Sequence, residues 1–307
     1  MNLRPLISIA SLCVVVVAGL LPASAIGETF LVEPGPASAI QDLIDDVVVD
    51  GDVIQLESGD FLVESPITLR GLAIEIRGRV DARGLPVSRL VGGGGTGILV
   101  CRDGEGGSTR FEDLVVTGGD IDLGGGLLID GTGPTLRRVR FIDNRASIFG
   151  GGVAIFGASS SPLFEDCRFE GNQADLVGGG CLNGTDATPV YRRCEWTGNG
   201  VGLYGRAMYN QSGSFPSLED CTVTGCCQIV PPGSFTDLGR NLVEPVCDEC
   251  LADFNCYGGV GAADLGLLLG AWGTKDPTYD LDQDGVVGGG DIGALVAQWG
   301  ACDVFTP

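Results

Sequence analysis

Five segments share one pattern: Phe111-Glu-Asp-Leu-Val-Val-Thr-Gly, Leu136-Arg-Arg-Val-Arg-Phe-Ile-Asp-Asn, Phe164-Glu-Asp-Cys-Arg-Phe-Glu-Gly-Asn, Tyr191-Arg-Arg-Cys-Glu-Trp-Thr-Gly-Asn and Leu218-Glu-Asp-Cys-Thr-Val-Thr-Gly. They begin 25, 28, 27 and 27 residues apart. A second, glycine-led motif recurs in step with them, starting at Gly124, Gly150, Gly178 and Gly205. Two strand-like motifs and glycine turns in each period exclude a helical repeat. The period therefore predicts a solenoid of parallel β-strands.

Charged dipeptides within these segments alternate in sign from one repeat to the next. They are Glu112-Asp113, Arg137-Arg138, Glu165-Asp166, Arg192-Arg193 and Glu219-Asp220. Successive coils of a solenoid stack at the strand spacing of about 4.8 Å. Because opposite charges on neighbouring strands stabilise a sheet and like charges do not, the alternation predicts in-register stacking.

Three further columns are expected inside or at the corners of the coils. Cys167, Cys194 and Cys221 form one, and we expect buried thiols there rather than disulfides. Aromatic residues fill a second column, at Phe141, Phe169 and Trp196. A third contains Asn144, Asn172 and Asn199, which we interpret as a ladder that satisfies turn backbone groups rather than as a binding site.

The segment before the repeats predicts a cap for the first coil. Residues 39–46 have the pattern of a short amphipathic helix, and strands are expected within 50–56, 67–69 and 74–76. With this cap, residues 28–245 resemble the right-handed parallel β-helix proteins of the pectin-lyase-like superfamily. The Gly-Gly-Gly-Val-Ala and Phe-x-x-Asn motifs are also similar to the repeats of bacterial polymorphic outer-membrane proteins. We therefore expect an all-β, right-handed parallel β-helix domain over 26–245, with an N-terminal cap helix.

Composition and the N-terminus limit the chemistry and the compartment. The 307 residues include 40 acidic and 18 basic side chains, for a net charge of −22, and no histidine. A Ser-His-Asp triad is thereby excluded, and nucleic-acid binding is not expected from so acidic a chain. Residues 1–25 have the pattern of a signal peptide ending in Ala23-Ser24-Ala25, with an uncleaved membrane anchor as the alternative. We expect a secreted, extracellular or cell-surface protein without a membrane span after cleavage.

The β-helix resemblance leaves the question of catalysis open. Related proteins include polysaccharide lyases and glycoside hydrolases, and also surface proteins without catalysis. Outward-facing Arg140, Arg168, Glu170 and Glu195 are the best candidate cluster, and the competing interpretation is a salt-bridge ladder that continues the sign alternation. Histidine is absent, and the only lysine, Lys275, lies outside the solenoid. We name no catalytic residue and expect glycan or surface binding without catalysis. The alternative is a lyase or hydrolase acting on cell-wall or uronate-rich polysaccharides.

A different unit, duplicated at an offset of 27 residues, follows the solenoid. Its second copy places carboxylates at loop positions one, three, five and twelve around a glycine at position six. This pattern predicts a Ca²⁺ site whose ligands are Asp280, Asp282, Asp284, Asp291 and the carbonyl of Val286. The first copy is degraded and offers Asp253, Asn255, Asp264 and the carbonyl of Gly259, so we expect weaker calcium binding there.

Each loop leads into a helix with apolar residues at helical spacing. These are Leu265, Leu268, Leu269 and Trp272, and then Ile292, Leu295, Val296 and Trp299. A duplicated loop and helix with aspartate as the last ligand resembles a type I dockerin, over a domain of 246–307. The resemblance implies a cohesin-like domain of a scaffold or surface protein as partner, with specificity residues at Ala262-Ala263 and Gly289-Gly290.

Four cysteines bracket this module, at Cys247, Cys250, Cys256 and Cys302. The two ends of a dockerin lie close together, so the resemblance implies a disulfide from one of the first three to Cys302. The rival interpretation is a zinc site at Cys247 and Cys250.

Overall fold

A computed structural model describes residues 27–201, 205–224, 229–230, 235–243, 251–254, 259–276 and 278–301. Residues 27–243 of that set form a parallel β-solenoid, in agreement with the predicted fold class. The predicted signal peptide lies outside the described residues. No helix in the described part of the chain is long and apolar enough to cross a membrane.

Three long parallel sheets, here called A, B and C, run the length of the solenoid. Sheet A has nine described strands, Thr29–Val32, Val53–Leu56, Glu75–Arg77, Arg110–Glu112, Thr135–Arg137, Leu163–Glu165, Val190–Arg192, Ser217–Glu219 and Thr236–Asp237. Sheet B also has nine, Gly35–Pro36, Gly59–Val63, Ser88–Gly92, Leu114–Thr117, Arg140–Ile142, Arg168–Glu170, Glu195–Thr197, Thr222–Val223 and Leu242–Val243. Sheet C has seven, Ile67–Thr68, Leu99–Cys101, Leu127–Asp130, Val153–Phe156, Cys181–Asn183, Met208–Asn210 and Ile229–Val230.

A fourth, shorter sheet, sheet D, was not predicted from the sequence. Its strands are Asp120–Leu123, Arg145–Phe149, Gln173–Ala174 and Gly200–Val201, and they lie between the B and C strands of four successive coils. Phe149 of this sheet joins Ala154, Leu182 and Val177 in a small apolar cluster separate from the main core. The outer face of sheet C is therefore partly covered.

The repeat predicts the strand register correctly. Phe111, Leu136, Phe164, Tyr191 and Leu218 are direct partners in successive strands of sheet A. At five successive corners between sheets A and B, the first residue after the sheet A strand lies in the left-handed region, with φ between 51° and 58° at Asp113, Arg138, Asp166, Arg193 and Asp220. The predicted charge alternation is confirmed at this corner, where Arg138 Nε lies 2.6 Å from Asp113 and Arg193 Nε lies 2.7 Å from Asp166.

The predicted aromatic column is confirmed as the centre of the core. The rings of Phe141 and Phe169 are stacked with centroids 5.3 Å apart, and those of Phe169 and Trp196 with centroids 4.8 Å apart. Phe164 and Tyr191 form a second stack beside them at 4.9 Å. Offset-stacked aromatic pairs contribute stabilisation beyond the apolar area they bury.

The cysteine column consists of free, buried thiols, as predicted. Cys194 Sγ donates to the carbonyl oxygens of Phe164 and Arg192 at 3.5 and 3.4 Å, and Cys167 and Cys221 make equivalent contacts. Burial raises the pKa of the Cys194 thiol, so it stays protonated and is a poor nucleophile. The four cysteines predicted to form a disulfide or zinc site near the C-terminus lie outside the described residues.

The asparagine ladder is also confirmed. Asn172 is fully buried, and its Nδ2 donates to Phe141 O at 2.9 Å and to Asn199 Oδ1 at 3.1 Å. Its Oδ1 accepts from the backbone N and the Nδ2 of Asn144 at 3.1 and 3.0 Å. The amide groups therefore hold the coils together from within.

The cap helix α1 spans Ser38–Asp46 and buries Ile40, Leu43 and Ile44, as the amphipathic pattern predicts. In the C-terminal module, helix α2 spans Ala262–Gly270 and helix α3 spans Gly289–Ala297. Strands Gly259–Val260 and Gly300–Ala301 form a two-stranded antiparallel sheet. A small separate core contains Ala252, Val260, Leu268, Ala271, Val287 and Leu295.

Candidate functional site

The second loop of the C-terminal module brings three predicted calcium ligands together. One carboxylate oxygen from each of Asp280, Asp282 and Asp284 lies within 4.8 Å of the other two. The Asp280 carboxylate accepts from the backbone N–H groups of Asp284 and Gly285 at 3.1 and 2.9 Å, which folds the loop over it. Gly285 has φ of +93°, a conformation that glycine adopts without strain, so the predicted turn residue is required at position six.

Asp291, the predicted last ligand, connects the two ends of the loop. Its Oδ1 accepts from the N–H groups of Leu281 and Asp282 at 2.6 and 3.1 Å, and its Oδ2 accepts from Gly288 N–H at 2.6 Å. Burial of this carboxyl raises its pKa, but the three amide donors outweigh that effect, so the pKa lies below its ordinary value. Asp291 is therefore an anion that also caps helix α3 at its third residue.

The Asp282 carboxylate lies close enough to three other carboxylates for their negative charges to raise its pKa. The Asp284 amide, which donates to Asp282 Oδ1 at 3.1 Å, lowers the pKa of Asp282. Desolvation and the negative charges of Asp284, Asp291 and Asp280 act against this donor, and the net result is a raised pKa. A bound cation would relieve this repulsion, and several carboxylate oxygens around one point are the ligand set that Ca²⁺ prefers.

Gly290 has a part in this loop that the sequence interpretation missed. A Cβ atom at this position would lie 1.7 Å from Asp282 Oδ2, so only glycine leaves room for the carboxylate in its present position. For Gly289-Gly290, the dockerin resemblance implied a role in partner specificity alone. The run of glycines directly before the last ligand was the available signal for a close approach of another group.

The described part of the first loop repeats this geometry in outline. Asp264 is fully buried, and its Oδ2 accepts from Gly261 N–H at 2.9 Å, as Asp291 does from Gly288. Asp253 is 8% exposed, and Gly259 lies in the two-stranded sheet. Asn255 lies outside the described residues, so calcium binding by this loop stays a prediction.

The helices of the module bury only part of their predicted apolar stripes. Leu268 and Leu295 are fully buried at equivalent positions. Leu269 and Trp272 of the first copy are 50% and 51% exposed, and their counterparts Val296 and Trp299 are 53% and 51% exposed. The module therefore presents the same apolar pair twice.

The candidate cluster of Arg140, Arg168, Glu170 and Glu195 lies on the outward face of sheet B. Its side chains form ion pairs: Arg140 Nη2 lies 2.9 Å from Glu170 Oε2, and Arg168 Nη2 lies 3.3 Å from Glu195 Oε2. The predicted continuation of the sign alternation is wrong at this point, because Arg140 is the direct partner of Arg168 in the register. The compensating Glu170 comes two residues after Arg168, in the adjacent outward column of the sheet.

Comparisons with known proteins give no family. No protein-family model matches the chain, and no curated protein matches it. Among solved structures, the chain is similar to Geobacillus virus E2 ORF18, with 15% sequence identity and a TM-score of 0.26. The similarity covers 68% of this chain and spans only 57% of the length of the viral one, and it says nothing about function.

Proposed function

We propose that the protein is an exported β-solenoid without catalytic activity, displayed at a surface or on a scaffold through a calcium-dependent, dockerin-like module. The convergence of Asp280, Asp282 and Asp284 oxygens within 4.8 Å carries this proposal. Asp291 and the Val286 carbonyl would complete the ligand set for Ca²⁺. When bound, calcium would supply the positive charge that these mutually repelling carboxylates need, and thereby order the loop and helix α3.

The exposed apolar pairs support docking to another protein. Tryptophan is enriched among the residues that contribute most to protein–protein binding. Trp272 and Trp299 occupy equivalent places after two calcium loops, so calcium ordering and partner contact would use the same elements. The dockerin resemblance suggests a cohesin-like domain of a scaffold or surface protein as that partner.

The contacts of the solenoid's outward charges support display rather than catalysis. Arg140 and Arg168, the best candidates for a lyase base, are held by Glu170 and Glu195. A base that must accept a proton from a sugar ring needs its own site free for the substrate. In this proposal the solenoid would bind a glycan or a neighbouring surface without cleaving it.

A panel of uronate-rich and neutral polysaccharides, incubated with the mature protein and calcium, tests the absence of catalysis. We expect neither unsaturated products nor new reducing ends. The Arg140→Gln/Arg168→Gln double variant removes one half-buried and one exposed ion pair, and it should lose about 2 kcal/mol or less of unfolding free energy, because surface ion pairs contribute about 0–1 kcal/mol each. Urea unfolding measures this loss.

Arg192→Gln is the matched control, because Arg192 lies between Glu165 and Glu219 at 3.6 and 3.1 Å on sheet A. The alternative, a polysaccharide lyase docked into a multi-enzyme assembly, makes a different prediction. Unsaturated products would appear, would disappear in the double variant at unchanged stability, and would persist in Arg192→Gln.

A further inference from the structure

In the C-terminal module, the loop of each repeat makes backbone hydrogen bonds to the residues that follow the helix of the other repeat. In the second loop, Val287 N–H donates to Thr274 O at 2.9 Å, and Val287 O accepts from Gly273 N–H at 2.9 Å. Gly273 and Thr274 follow helix α2 and belong to the first copy of the duplication. The residue next to the predicted carbonyl ligand Val286 is thus fixed by the other repeat.

The reciprocal arrangement holds the first loop. Gly259 and Val260 pair antiparallel with Ala301 and Gly300, which follow helix α3 of the second copy. Gly259 is the predicted carbonyl ligand of that loop. Val260 is 3% exposed, and Val287 is fully buried. Both belong to the same small core as Leu268 and Leu295.

In the described part of the module, each loop is therefore hydrogen-bonded to the residues that follow the helix of the other repeat. A carbonyl ligand must point at the ion, and here its direction is set by the backbone pairing of the neighbouring residue. A change in one repeat therefore alters the free energy of ordering the other loop. Such a shared ordering step is a coupling free energy between two sites, and it acts equally in both directions.

We propose that Gly273 and Thr274 are positioning residues for calcium in the second loop, and that calcium binding there orders the first repeat through them. This inference rests on the proposed calcium site. The mirror contact, from Gly300 and Ala301 to the first loop, carries the coupling in the other direction.

Gly273→Ala in the full chain tests the coupling. Gly273 has φ of +76°, which alanine adopts only with strain, yet it supplies no predicted ligand. We expect calcium affinity at the second loop, measured by isothermal titration, to fall by about fivefold or more. Gly266→Ala is the control, because Gly266 lies within α2 with open space around its Cα and no positive φ. It should cause no loss of affinity.

Amide hydrogen exchange of the unmodified chain gives a second readout that does not depend on the variant folding. Calcium should slow exchange of the Gly273 N–H by about tenfold or more, although this amide lies outside the second loop. An unchanged Gly273 rate in a chain that binds calcium would overturn the coupling and leave the calcium site standing. Equal calcium affinity in Gly273→Ala and the parent would also overturn the coupling and leave the calcium site standing. No calcium binding by the parent would overturn both proposals.

Discussion

Replacing Asn172 by alanine is expected to lower the free energy of unfolding of the solenoid by about 3–5 kcal/mol. The fully buried amide makes four hydrogen bonds, two to Asn144 and one each to Phe141 O and Asn199 Oδ1. Alanine would leave the Asn144 N–H and the Phe141 carbonyl without these partners, in a place that water cannot easily reach. Buried polar groups left without a partner each cost about 1–3 kcal/mol.

Urea unfolding monitored by far-UV circular dichroism measures this loss. Gln173→Ala is the matched control, because Gln173 is the next residue, its side chain is exposed, and surface substitutions usually change stability by about 0.5 kcal/mol or less. A loss below about 1 kcal/mol in Asn172→Ala would show that the ladder is a by-product of the turn rather than a support for it.

Removal of calcium is expected to melt the C-terminal module and to leave the solenoid folded. A ligand present at a hundred times its dissociation constant stabilises the folded state by about 2.7 kcal/mol. For so small a module, this corresponds to a fall in melting temperature of about 10 °C or more. Calorimetry of the full chain should therefore show two transitions, of which chelation shifts only the module's.

Asp282→Ala should reproduce most of the effect of chelation and reduce the module's response to added calcium, because it removes a predicted ligand of the second loop. Asp276→Ala is its control, since Asp276 is an exposed aspartate that accepts from Thr278 N–H and is not a predicted ligand. Equal shifts of both transitions on chelation would contradict the division into two domains near residue 245. A calcium response as large in Asp282→Ala as in the parent would contradict the ligand assignment.

The solenoid was predictable from the sequence because its repeat fixes both period and face. Each coil returns the same side chain to the same place, so Phe164 above Leu136 and Tyr191 above Phe164 could be inferred from spacing alone. The alternating charges at Arg138 and Asp113 had the same basis. Sheet D was not predictable in this way, because strand pairs such as Arg145 with Gln173 include charged and polar residues without a regular apolar pattern.

For the candidate cluster on sheet B, the repeat predicts the signs of neighbouring charges incorrectly. Repeat position alone predicts opposite signs in neighbouring coils, yet Arg140 faces Arg168. Arg140 resolves this conflict by reaching diagonally to Glu170, whereas Arg168 pairs with Glu195, its direct partner in the next coil. Diagonal pairing depends on rotamers and solvent exposure, which a one-dimensional pattern does not contain.

The close approach of three carboxylates in the second loop was predictable from the sequence, whereas the contacts that support this loop were not. Carboxylates at fixed spacing around Gly285 are a local signal, and the structure places three of them together. The space that Gly290 leaves for Asp282, and the pairing of Val287 with Gly273 and Thr274, depend on residues brought together by folding. Those contacts decide how strongly the loop holds its shape.

Calcium titration of the purified protein, by isothermal calorimetry with metal analysis after dialysis, tests the proposed calcium dependence of the module without relying on any partner. We expect at least one bound calcium per chain, and one fewer in Asp282→Ala than in the parent and in Asp276→Ala. Absence of bound calcium at millimolar concentrations, with the module shown to be folded, would contradict it.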